Sequence, residues 1–288
     1  MFKKVGFLGL GTVGKYMATN LMKGDYDITV YDSDMSVAKD IVALGAKFAK
    51  TPREAAKGMD IVLHIRPEKE RLRPDIYGED GIFAGIDPGT VLVDMGTHSL
   101  ESTLEIADEA AKHRVLFLDA PVWGSKEHAA NGLLTILAGG DPALIGRCRE
   151  LFSFFGLNII HAGAIGDGTR MKFIVNLVQA ELIQALSEGL VFGEKMGFSA
   201  DKILEVLDCG GVASPLFHSK GRTMARGDFS RNLALKYVHE QLELVLEQAK
   251  KLDLDLPGAS CACTLYEKAD KDGRGEEDFS AVIKVLRK

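Results

Sequence analysis

From Val5 to about Ile160 the chain alternates short apolar runs rich in β-branched residues with stretches whose apolar positions recur at helical spacing. That is the pattern of βαβ units feeding a parallel sheet. It predicts strands at Val5–Leu8, Asp27–Tyr31, Ile61–Ile65, Val91–Asp94, Leu116–Asp119, Leu134–Ala138 and Asn158–His161. The runs around Ile61 and Val91 are apolar nearly throughout, as expected of strands covered on both faces. They end in the turns Arg66-Pro67 and Gly96-Thr97, and the next strand in Ala120-Pro121, at the carboxyl ends where doubly wound sheets bind ligands. After His161 the period changes. Gly166 to Met196 contains no proline, keeps Met171, Ile174, Val175, Val178, Leu182, Ala185, Leu186 and Val191 at helical spacing, and stops at Gly197. At 1.5 Å rise per residue this is a helix of about 40 Å. Only helical patterns follow, at Ala200–Leu207, Leu233–Leu252, after Pro257 and from Asp278. The expected architecture is α/β: a Rossmann-type doubly wound domain over 1–162, an interdomain helix over 163–196 and an all-helical domain over 197–288.

Composition narrows the function without naming it. The 288 residues are 46% hydrophobic and 26% charged with a formal net charge of −6, an ordinary globular balance. Such a charge offers no basic field for nucleic-acid phosphates or an anionic membrane, so neither partner is expected. The apolar stretch at Met1–Gly9 is far too short for a membrane span and reads as a strand rather than a targeting segment. Four cysteines are too few for a disulfide framework in this length, which points to reduced thiols in a cytoplasm. His98, His113, His128 and His218 are scattered without metal-ligand spacing, so no metal is expected. His161 is expected to pack where the last strand meets the long helix, and Arg222 and Arg226 to flank a loop. A long helix with this much apolar surface predicts a homodimer or homotetramer.

The first strand runs into Gly9-Leu10-Gly11-Thr12-Val13-Gly14 and then a helical stretch. In GxGxxG the first glycine makes the turn, the second admits a pyrophosphate and the third lets the helix pack close, with the helix N-terminus facing the anion. Asp32-Ser33 closes the second strand, where a carboxylate binds the adenosine ribose hydroxyls. The cofactor is therefore NAD or NADP, with NAD favoured because that carboxylate repels an extra phosphate. Lys39 and Arg53 remain basic groups able to reach the same place.

Further on, Gly163, Gly166 and Gly168 open the long helix, and Lys172 and Asn176 follow four apart on one face among apolar neighbours. A lysine held there is desolvated, which lowers its pKa toward a value useful for proton transfer. Spacing alone does not separate this from a solvated lysine beside a helix-interior asparagine.

The whole chain resembles the β-hydroxyacid dehydrogenases, the family of 3-hydroxyisobutyrate dehydrogenase and the glyoxylate/succinic semialdehyde reductases. The resemblance lies in Phe7 to Leu21, in Asp119-Ala120-Pro121-Val122-Trp123-Gly124-Ser125, and in the GxxGxGxxxKxxxN run from Gly163 to Asn176. The runs Gly124-Ser125-Lys126 and Ser187-Glu188-Gly189-Leu190 lean toward the semialdehyde reductases. It implies hydride transfer between a nicotinamide and a small β-hydroxy acid or its semialdehyde, with Lys172 as general acid and base and Asn176 holding lysine and substrate. It also implies that Val122, Trp123 and Gly124 bind substrate, and that Arg66, Pro67, Thr97 and Glu240 stand near the cofactor.

Departures from the family pattern are informative. Trp123 stands where a serine is usual, Glu240 where a cation precedes the late-helix leucine, and Arg66 where a leucine precedes Pro67; His64 and Gly96 are further changes. Arg66 is expected to supply the charge lost at position 240, either to Glu240 or to a substrate anion, or else both are surface charges. Two rival readings follow: a reductase of a different carbonyl or imine with a pocket remodelled by Trp123, or a dinucleotide-binding module without catalysis.

Overall fold

The computed structural model describes residues 2–66 and 68–287. Its strands are β1 (Lys4–Leu8), β2 (Asp27–Tyr31), β3 (Lys47–Phe48), β4 (Ile61–His64), β5 (Val91–Asp94), β6 (Leu116–Asp119), β7 (Val122–Trp123), β8 (Leu134–Gly139) and β9 (Gly156–Gly163). Seven match the expected strands to within two residues; β3 and β7 are additions of two residues each, too short for a period to register. The helices are α1 (Gly14–Leu21), α2 (Lys39–Ala43), α3 (Pro52–Ala56), α4 (Glu68–Tyr77), α5 (Leu100–Lys112), α6 (Lys126–Ala130), α7 (Pro142–Phe152), α8 (Asp167–Lys195), α9 (Ala200–Asp208), α10 (Pro215–Arg226), α11 (Leu235–Lys251) and α12 (Pro257–Ala269). The stretch from Asp278 forms a 3₁₀ helix over Phe279–Val285.

The chain divides into two compact units, Met1–Lys172 and Phe173–Lys288. In the first, the sheet order is β3-β2-β1-β4-β5-β6-β8-β7, with β9 on β8. The order reverses between β1 and β4, so the crevice at their carboxyl ends is the topological switch point. The sheet is not wholly parallel, which corrects the expectation: β8 runs antiparallel to β6 and β7. β6 and β7 run in the same direction in one register along β8, and the segment from Gly124 to Leu133, which holds α6, turns the chain back to run against both.

Alternation along the strands builds two cores. Val5, Phe7, Ile61, Leu63, Val91 and Val93 face one side with Met17 and Leu21. Leu8, Val62 and Leu92 face the other with Ile76 and Ile106. In the second unit, Ile183, Leu186 and Leu190 of α8 pack with Leu235, Val238 and Leu242 of α11 and with Tyr266 of α12. By length and composition alone α8 also suits a membrane span.

α10 corrects the loop expected around Arg222 and Arg226, which lie on this helix. Its apolar stripe is thin, but its ends carry ordinary signals. The Ser214 hydroxyl accepts the Phe217 N–H, Pro215 occupies the first turn, and Gly227 closes the helix in the left-handed region at φ 69°.

Candidate active site

The glycine turn after β1 is shaped by close backbone contacts. Gly9 has φ +103° and donates its N–H to the Tyr31 carbonyl at 3.0 Å. A Cβ at Gly14 would overlap the Gly9 carbonyl oxygen, so α1 can lie this close to the turn only without a side chain. A Cβ at Gly11 would meet nothing within 4 Å; the turn is open there. Val13, at the N-cap of α1, offers no side-chain acceptor to the first N–H groups of the helix. A glycine turn that is open at Gly11 and runs into a helix N-terminus fits a dinucleotide pyrophosphate.

Asp32 ties this turn to the end of β2. Its Oδ2 accepts the Leu10 N–H at 2.7 Å, and its Oδ1 accepts the Asp34 N–H at 3.0 Å and the Ser33 hydroxyl at 3.4 Å. Arg66 joins the same carboxylate, with Nη2 3.3 Å from Asp32 Oδ1 and Nε 3.0 Å from Asp75 Oδ2, all three residues being buried. The sequence reading gave Arg66 to Glu240, to a substrate anion or to the surface; it is buried, which rules out the surface charge, and its guanidinium is held by two carboxylates of the first unit. Thr12 is half-buried in the turn, Thr97 is half-buried after β5, and Glu240 is half-buried on α11 of the second unit. Pro67 lies outside the described residues.

Asp119, the last residue of β6, organises the start of α8. Its Oδ1 accepts the Gly166 N–H at 2.8 Å and its Oδ2 the Thr169 N–H at 2.9 Å. Burial outweighs these bonds and pushes its carboxyl up to about 6. The anchor fixes the first turns of α8 against the loop after β6, and Lys172 follows one turn later. Lys172 is 8% exposed, and its Nζ donates to the Val122 carbonyl at 2.9 Å. Desolvation pushes the ammonium down from 10.5 to about 8. Asn176, one turn further along α8, is buried too. Beside Val122, Trp123 is 44% exposed and Gly124 takes φ +142°, a conformation that disfavours any side chain there. Lys172 and Val122 are thus brought together by the fold, and so are the Gly9–Gly14 turn, Asp32 and Arg66.

Sequence reasoning missed three features. Asp75 as a partner of Arg66 carries no local signal. Asp119 as the anchor of α8 needs a contact 47 residues away. The third overturns the reading of isolated histidines: His64 Nδ1 lies 3.2 Å and His98 Nε2 3.1 Å from Asp94 Oδ1, and all three residues are buried. Adjacent parallel strands that both end at a polar residue would have betrayed the first pair. His161, expected to be packed, is exposed, and its Nε2 lies 2.8 Å from the Gly163 carbonyl oxygen and 3.1 Å from that of Gly140.

Residues 4–163 match the family model of the NAD binding domain of 6-phosphogluconate dehydrogenase, and residues 166–286 that of the NAD-binding region of NADP-dependent 3-hydroxyisobutyrate dehydrogenase. The chain belongs to the β-hydroxyacid dehydrogenase family. This member is 33% identical to glyoxylate/succinic semialdehyde reductase 1 of Arabidopsis thaliana, over 99% of this chain and 98% of that protein. It is also 30% identical to the cytokine-like nuclear factor N-PAC of Gallus gallus, over 98% of this chain but 51% of that protein. Among solved structures it resembles a 3-hydroxyisobutyrate dehydrogenase of Mycobacterium tuberculosis, with TM-score 0.90 and 29% identity over the full length of both chains. Both matched models describe NAD-binding regions of dehydrogenases, so the protein is an NAD(P)-binding member of an oxidoreductase family.

Proposed function

We propose that this enzyme reduces a small semialdehyde or 2-oxo acid of the glyoxylate and succinic semialdehyde type, with Lys172 supplying the proton. The observation that carries the reading is the burial of Lys172 with its Nζ 2.9 Å from the Val122 carbonyl, in the loop whose motif resembles the family's substrate signature. The nicotinamide, when bound, supplies or accepts the hydride. Everything else belongs to the chain. The Gly9–Gly14 turn and the α1 N-terminus hold the pyrophosphate, and Asp32 accepts the adenosine ribose hydroxyls. NAD is the preferred form, because Asp32 repels a 2′-phosphate and Arg66 is already paired with two carboxylates. Thr97 lines the nicotinamide side.

A lysine with its pKa near 8 is a proton donor matched to neutral pH. As the carbonyl carbon gains hydride, the Lys172 ammonium gives its proton to the developing alkoxide; in oxidation the neutral amine takes that proton back. Val122 holds Nζ in place through its carbonyl, Asn176 steadies lysine and substrate, and the backbone around Gly124 binds the substrate carboxylate. The free thiols of all four cysteines suit a reducing cytoplasm, and the exposed Ile174, Val178 and Phe192 of α8 suit a homodimer or homotetramer.

One observation favours a second reading of the substrate. Trp123 puts a half-exposed indole in the substrate loop, which suits a larger or flatter carbonyl compound, or an imine. Absorbance at the nicotinamide band, with glyoxylate, succinic semialdehyde, hydroxyisobutyrate and aromatic aldehydes against NADH and NADPH, tests both. Turnover of the short acids with NADH supports the first reading; turnover of aromatic carbonyls alone supports the second, and no turnover with any of them overturns both.

A further inference from the structure

We propose that His64, Asp94 and His98 form a divalent-metal site of the zinc class. β4 and β5 pair in parallel with His64 opposite Asp94, so the last residues of both strands meet at one level. The chain then turns through Met95-Gly96-Thr97 and brings His98 back onto the same carboxylate. Gly96 makes that return possible, because a Cβ there would overlap the His98 ring and the Arg66 carbonyl oxygen. His64 Nδ1 stands 3.2 Å from Asp94 Oδ1, and His98 Nε2 stands 3.1 Å from each carboxylate oxygen. The three donor atoms lie within 4.8 Å of one another.

Two donors about 2.0–2.2 Å from a common tetrahedral ion lie about 3.4 Å apart, so separations of 3.1–3.2 Å let both imidazoles and the carboxylate reach one ion with only small side-chain shifts. Two imidazoles and a carboxylate are a donor set that zinc accepts, and hard cations such as Mg²⁺ are poor occupants. His64, Asp94 and His98 are 0%, 3% and 1% exposed, so an ion here is closed to substrate. Its work is to clamp the ends of β4 and β5, directly ahead of the turns carrying Arg66 and Thr97.

Zinc titrated calorimetrically into EDTA-treated wild-type protein tests this, with Co²⁺ as a spectroscopic probe. The expected result is uptake of one ion per chain, visible d–d absorption with Co²⁺, and a Tm raised by several degrees. His64→Gln and His98→Gln should each abolish stoichiometric uptake, while His113→Gln should retain it. Nitrogen chemical shifts of His64 in the wild-type protein give a readout independent of any variant, since the ion requires an unprotonated Nδ1. Failure of the EDTA-treated wild type to take up either ion, or uptake that persists in both glutamine variants, would overturn the proposal. Dehydrogenase activity is not the readout, so this outcome is independent of the assigned reaction.

Discussion

The Lys172 ammonium reaches the Val122 carbonyl at 2.9 Å across 50 residues of sequence. The contact joins the motif at the start of α8 to the loop after β6, and it does so inside the protein rather than at its surface. A cation kept there at neutral pH costs stability, and that cost is measurable.

Lys172 has a folded pKa of about 8 against 10.5 when exposed. Below pH 8 both folded and unfolded chains carry the proton, and the full burial cost of about 3 kcal/mol applies. Between pH 8 and 10.5 the unfolded chain binds a proton that the folded chain lacks, so stability rises with pH across this window. Lys172→Met should flatten that rise in denaturant titrations and raise stability at pH 7. An unchanged pH slope in the variant would contradict the assigned burial.

The same residue sets the pH profile of turnover. The reductive kcat/KM should fall as pH rises through about 8, and the oxidative kcat/KM should rise through it. Lys172→Ala should lower kcat by roughly 10²–10⁴ in both directions. Full activity in that variant would remove the lysine from the reaction.

Gly11 and Gly14 should separate folding from cofactor affinity. Gly14→Ala drives a Cβ into the Gly9 carbonyl and should lower Tm, whereas Gly11→Ala meets nothing within the protein and should leave Tm unchanged. Because Gly11 lines the turn assigned to the pyrophosphate, its alanine variant should still weaken NADH binding, measured by fluorescence titration. Unaltered affinity would move the pyrophosphate away from Gly11.

Arg66→Leu leaves the Asp32 and Asp75 carboxylates buried without their shared guanidinium partner. Breaking such a group by removing one member costs about 3–5 kcal/mol, visible as a lowered midpoint in urea. NADH affinity should fall as well, through the disturbed Asp32. A fully stable variant with wild-type NADH affinity would show that the ion pairs serve neither role.

Asp119→Asn can offer one carbonyl oxygen to the Gly166 and Thr169 N–H groups, and its amide N–H₂ faces a donor. A loss of about 1–3 kcal/mol is expected from the unmet bond. Because Lys172 sits one turn beyond this anchor, kcat should fall more than KM rises. Equal changes in both would assign Asp119 to stability alone.

Periodicity and glycine spacing made much of this protein legible from its sequence. The seven longer strands, α8 and the Gly9–Gly14 turn with Asp32 rest on signals local in the sequence, which local chemistry governs, while Lys172 and Asn176 stand out through the family motif rather than through their spacing. The thin stripe of α10 and the two-residue strands β3 and β7 fell below that signal. What only the tertiary structure decided is who meets whom. Strand order brings Arg66 to Asp32, register sets His64 opposite Asp94, and the fold returns Gly166 and Thr169 to Asp119. Charge and hydrogen-bonding capacity are properties of single residues, but their partners are fixed by long-range packing, and no local period records it.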